Sequence, residues 1–115
     1  MHRYFIKLAY KGTAYHGWQK QDNAHSVQQE LENALQALLG NTTETLGCGR
    51  TDAGVHAREF YAHFDTDTRI ADDKFMVYKL NKILPKDISA ASVFEVKGTA
   101  NARFDAISRT DQYYI

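Results

Sequence analysis

From Arg3 to Tyr10 the apolar positions alternate: Tyr4, Ile6, Leu8 and Tyr10 against Phe5, Lys7 and Ala9. A period of two predicts a strand with one face in the core. Residues 11–25 hold Gly12 and Gly17 and keep no period, which predicts a long loop of the kind that carries function. From 26 to 40 the pattern changes to helical, with Val27, Leu31, Leu35 and Leu38 on one stripe and Ala34 beside them. Ser26 and Gln29 have capping-box spacing, and Gly40 supplies the stop. Residues 43–48 predict a short strand and 59–65, with Phe60, Ala62 and Phe64 alternating, its continuation or partner. A second helix is expected over 72–85, capped by Asp72 or Asp73, with Met76, Leu80, Ile83 and Leu84 as its stripe and Pro85 as its end. Strands are expected at 88–96 and 112–115, with 102–109 partly strand. Strands and helices in this order predict an α+β domain, one antiparallel or mixed sheet with both helices packed on a single face. The last expected strand runs into Ile115, so we expect the chain to be part of a longer protein.

Composition narrows this little. The chain has 115 residues, 43% of them hydrophobic and 24% charged, which suits one folded domain and not disorder. A net charge of zero gives no global preference for nucleic acid or an anionic membrane. The distribution is less even. Arg3, Lys7, Lys11 and Lys20 fall within residues 1–20 without an acid, leaving room for a local basic face. A lone Cys48 forbids an internal disulfide and suits a reducing compartment. No leader pattern or long apolar run is present, so the expected location is cytoplasmic, with no membrane partner.

The chemistry concentrates in "GRTDAGVHA", Gly49 to Ala57. Asp near Gly, here Asp52 two residues before Gly54, is common in turns, where its carboxylate bonds nearby backbone. Arg50, two residues from Asp52, is placed to pair with that carboxylate and hold it ionised, ready to act as nucleophile or base, or else to bind a phosphate. His56 and His63 with Asp52 invite a metal reading, but the spacing fits no common zinc pattern and no metal is expected. "GTAYHG" has P-loop glycines but continues with Trp18 and Gln19 where Lys and Ser/Thr are required. Cys48 reads as a small hydrophobe. Most of Tyr10, Tyr15, Trp18, Phe104, Tyr113 and Tyr114 belong in a core; any exposed beside Arg50, Arg58, Arg103 or Arg109 would be stacking surfaces for unpaired bases.

Taken together, "GRTDAGVHA" with "YKGTAYHGWQKQ" (10–21), "SVQQELENAL" (26–35), "NKILPKDI" (81–88), "ARFDA" (102–106) and a final "YYI" resembles the tRNA pseudouridine synthase A family over nearly the whole chain. The resemblance implies a pseudouridine synthase fold whose half is RRM- or ferredoxin-like. It also implies isomerisation of uridine to pseudouridine in the anticodon stem-loop of tRNA, without cofactor or metal. Asp52 would be the catalytic aspartate. Arg50 would pair with it and help displace the base, and Tyr113 would pack on the uracil. Ala102, Arg103, Phe104, Asp105 and Ala106 would line the RNA side of the cleft, with Arg58 and Arg69 adding phosphate contacts. The family acts as a homodimer on tRNA. Residues 1–115 would be the N-terminal, aspartate-bearing domain of a two-domain enzyme, with little activity alone. Asp111 stands where an aromatic residue is usual, two before Tyr113. The rival reading is a non-catalytic RNA-binding module with an RRM-type sheet, although no segment has the aromatic–Gly–aromatic RNP pattern. A metal-dependent hydrolase built on Asp52, His56 and His63 is the remote third.

Overall fold

The structure is a computed structural model that describes residues 2–12, 15, 17–18, 26–40, 43–48, 57–67 and 69–98. Its elements run β1 (His2–Tyr10), α1 (Val27–Leu39), β2 (Thr45–Gly47), β3 (Ala57–Thr66), α2 (Asp73–Ile83) and β4 (Ile88–Val96). The strands form one four-stranded sheet in the order β2-β3-β1-β4, antiparallel throughout. The chain order β-α-β-β-α-β with that strand order is the ferredoxin-like arrangement. The strands expected at 102–109 and 112–115 lie outside the described residues.

Central β1 is held by register on both sides. Ile6 faces Ala62 of β3 and Val93 of β4, and Leu8 faces Phe60 and Ala90. Tyr4, Ile6, Leu8 and Tyr10 enter one core with Val27, Leu31 and Leu35 of α1 and Met76 and Leu80 of α2, so both helices cover the same face. The other face is not simply polar. Phe5 is only 1% exposed, in a small cluster with Tyr61 that Phe94, Val96 and Cys48 border. The alternation assigned Phe5 to the outer face; its cross-strand neighbours His63 and Phe94 close over it, with ring centroids 6.2 and 5.8 Å away.

Helix ends follow local chemistry. Ser26 is extended and its Oγ accepts from the Gln29 amide N–H at 3.2 Å, while the Gln29 side chain donates along the helix to Asn33 rather than closing a full capping box. The carbonyls of Gly17 and Trp18 accept from Val27 and Gln28 N–H, so the segment before α1 satisfies donors that a first turn leaves open. Gly40 ends α1 at φ 82°, and its N–H reaches Gln36 O. Asp72 caps α2 through Phe75 N–H, and Leu84, extended before Pro85, ends it. The buried arc of α2 passes through Met76, Val77, Leu80 and Leu84. Ile83 falls at the rim of that arc and is 45% exposed, unlike the stripe predicted from spacing. Asn81 ties α2 to the outer side of β4: its amide donates to Ala90 O at 3.0 Å and accepts from Ala90 N–H at 2.8 Å.

Candidate active site

Asp52, Arg50 and His56 lie outside the described residues, as do Tyr113 and residues 102–106. The structure describes the frame that holds the ends of Gly49–His56. The stretch leaves edge strand β2 at Cys48, whose N–H donates to Tyr61 O at 2.7 Å, and re-enters the sheet at Ala57, paired with Tyr10.

β2 has three residues and, among the described residues, pairs with one strand, and side chains reinforce it. Glu32, 9% exposed on α1, accepts from both Thr45 N–H (2.8 Å) and Thr45 Oγ1 (3.0 Å). Gln28 donates to Thr45 O at 2.8 Å. A carboxylate that accepts several donors repays the cost of its burial. Gly47 lies against Trp18 and Phe60, whose rings are 4.5 Å apart, and a Cβ there would come within 2.7 Å of Trp18 Cε2 and 2.9 Å of Phe60 Cε1. Tyr10 meets Phe60 edge-on at 5.8 Å. The Tyr15 hydroxyl donates to Asp87 at 2.5 Å; burial and that bond push its phenol up, so it stays a donor. Tyr10, Tyr15 and Trp18 are thus buried supports beneath the root of the stretch, as the core reading of most aromatics expected.

Beside Ala57 opens a recess of about 400 Å³ lined by Ala9, Tyr10, Lys11, Ala57, Arg58, Lys86, Asp87 and Ser89. Lys11, Arg58 and Lys86 are exposed, and no carboxylate among the described residues pairs with them in an ion pair. Three cations against one carboxylate that already holds the Tyr15 hydroxyl make the recess suited to an anion. Of the cations expected to form a basic face near the N-terminus, Arg3 is engaged by Asp65 through two bonds of 2.8 and 3.0 Å, and Lys7 by Glu59 at 3.2 Å. Lys20 lies outside the described residues; Lys11 remains, and the fold joins it to Arg58 and to Lys86, which sequence reasoning missed. Its only signal was its place between Pro85 and Asp87.

Arg58 and Arg69 are not neighbours. Arg58 stands next to Ala57, opposite Tyr10, whereas Arg69 pairs with Glu95 at 3.2 Å, opposite Tyr4. Six strand residues, roughly 20 Å, separate those two levels of β1. Cys48 is half-buried, and desolvation raises its thiol above the ordinary range, against a nucleophilic role. Among the described residues no group of three metal-ligating side chains gathers.

His63 faces away from the helices, stacked with Phe5. Burial first, and then the Arg3 guanidinium, push its pKa down, with Asp65 pulling the other way. The folded imidazole therefore takes up its proton at a lower pH than the unfolded one, which titrates near 6.5. Its stabilising contribution is complete above about pH 6.5 and is lost as pH falls from there through the folded value. Thermal unfolding of the wild type between pH 7.5 and 5 is expected to show a melting temperature that drops more steeply than that of His63→Gln. Parallel curves would exclude His63 as the titrating group.

Curated relatives named tRNA pseudouridine synthase A align along this frame from end to end. That of Bacteroides fragilis is 54% identical over 98% of the chain, that of Bacteroides thetaiotaomicron 53% over all of it, and that of Parabacteroides distasonis 50% over all of it. The chain belongs to the tRNA pseudouridine synthase A family. It spans 42–46% of the length of these relatives. No protein-family model matches it. For a tRNA pseudouridine synthase A chain, the described residues amount to a braced β2–β3 edge, a buried aromatic support and a cationic recess at one root of the aspartate-bearing stretch. No helix among the described residues is long and apolar enough to cross a membrane.

Proposed function

We propose that residues 1–115 form the N-terminal, aspartate-bearing domain of a longer two-domain tRNA pseudouridine synthase, which isomerises uridines in the anticodon stem-loop of tRNA. The reading is carried by one observation above all. Cys48 and Ala57, the residues that flank the segment with Arg50 and Asp52, are both fixed to β3 or β1, with buried aromatics packed against Gly47 and the cationic recess beside Ala57.

The reaction breaks the bond from C1′ to N1, turns the uracil and rejoins it through C5. Atoms and electrons are conserved, so the proposal includes no cofactor or metal. Asp52 starts the cleavage by attacking C1′ or C6, or by removing the C2′ proton. Arg50 pairs with Asp52 and fills the space vacated by the extruded base, whose removal from the stack costs a few kcal/mol. Tyr113 holds the uracil face, and Ala102 to Ala106 line the RNA side. Arg58 binds a phosphate next to the reacting nucleotide, and Arg69 meets the RNA farther out. The enzyme works in the cytoplasm as a homodimer on one tRNA.

The binding-module reading predicts aromatics displayed on the sheet face opposite the helices. Phe5 and Tyr61 on that face are 1% and 9% exposed, which favours the synthase. The test uses the native-length product and an unmodified tRNA transcript, with carbodiimide labelling and primer extension. New stops in the anticodon arm are expected. Tight tRNA binding without stops would replace the synthase by a binding module.

A further inference from the structure

The outward face of α2 has no part in the core or in the recess, yet it is far from neutral. Phe75 and Tyr78 are 54% and 55% exposed, their rings stacked at 6.3 Å and 23°. Lys79 Nζ lies 5.3 Å from the Phe75 centroid and Lys82 Nζ 5.2 Å from that of Tyr78. Positions 75, 78, 79 and 82 share one side of a helix, roughly opposite Met76 and Leu80. Neither lysine has a carboxylate partner in an ion pair among the described residues. Following the helix, the chain turns at Pro85 into Lys86, which lines the recess with Lys11 and Arg58.

We infer that this face is a second RNA contact, in which Lys79 and Lys82 meet phosphates and Phe75 and Tyr78 offer their rings to unpaired bases or ribose. The inference rests on the proposed tRNA substrate. Charge and shape select the occupant. A second copy placed by a two-fold axis would gather four lysines in one interface with no carboxylate of the stripe to offset them, and four side chains supply far less than the ~800 Å² per partner of a stable interface. A helix ridge offers no groove for an apolar peptide. An anionic polymer with flat faces satisfies both halves of the stripe. From Phe75 to Lys82 the helix rises about 10 Å, and four residues further along the chain Lys86 lines the recess.

The experiment uses the native-length protein, with tRNA affinity measured across a salt series beside steady-state pseudouridine formation. Lys79→Gln/Lys82→Gln is expected to raise KM several-fold more than it lowers kcat. It should also make the slope of log Kd against log salt shallower by about 1.5–2, the release expected for two phosphate contacts. Phe75→Ser/Tyr78→Ser should weaken binding at least fivefold with little change in that slope. Unchanged KM and slope, in an enzyme that still forms pseudouridine, would overturn this contact and leave the synthase standing. A wild type that binds tRNA yet forms no pseudouridine would overturn the synthase, and the variants' salt slopes would still decide the contact. Loss of an oligomer on light scattering, with tRNA affinity intact, would also overturn it by assigning the face to a protein.

Discussion

Asp52→Asn in the native-length protein is expected to reduce pseudouridine formation by about a thousandfold or more while leaving tRNA affinity within a few-fold. The substitution keeps size and shape but removes the charge and basicity that the proposed route uses at C1′, C6 or the C2′ proton. Proton transfer alone contributes 10²–10⁴-fold in typical enzymes, and a lost nucleophile costs at least that much. A thousandfold corresponds to about 4 kcal/mol of transition-state stabilisation. The fold should not notice, because β2 and β3 are fixed by Thr45, Cys48 and Tyr61. The measurement is single-turnover primer extension, with melting temperature as control. Activity within tenfold of wild type would remove Asp52 from the chemistry and return it to turn formation.

The second large effect is expected at a glycine whose need is space, not conformation. In Gly47→Ala the new methyl would lie 2.7 Å from Trp18 Cε2 and 2.9 Å from Phe60 Cε1, well inside contact distance. Both rings are buried, at 2% and 4% exposure, so neither can swing into solvent cheaply. Overpacking of this kind costs about 1–3 kcal/mol or more. The strand that yields would be β2, which carries the root of the aspartate-bearing stretch, so activity should fall further than stability. Gly47→Ala/Trp18→Phe, which replaces the indole by a smaller ring, is expected to recover part of both. Thermal unfolding and single-turnover rates of the four proteins in that cycle decide the matter. A wild-type melting temperature in Gly47→Ala would mean that the rings leave room.

Most of the frame was legible where cause and effect lie close in sequence. The alternation in β1 set its helix-facing residues, and Ser26, Gly40, Asp72 and Pro85 marked helix ends by chemistry that acts within four residues. What escaped is set across the sheet. Phe5 is buried because His63 and Phe94 stand beside it in register, and nothing between residues 3 and 10 encodes that. Nothing in the spacing of α1 marks Glu32 for burial; its partner Thr45 belongs to a strand whose position follows from the fold. Lys11, Arg58 and Lys86 come from three separate segments, so only the strand order shows them converging. The aspartate itself was the reverse case. Its motif was plain in the sequence, whereas the structure describes the two ends that hold it.

Asn81 bears on a different hazard. β4 lies at the margin of the described sheet, and such a margin invites strands from other molecules. By occupying both main-chain groups of Ala90, the Asn81 amide stands where a foreign strand would have to bond. Until α2 docks, those two groups of Ala90 stay open to a foreign strand, so the seating of this one helix also closes a point of entry for misassembly.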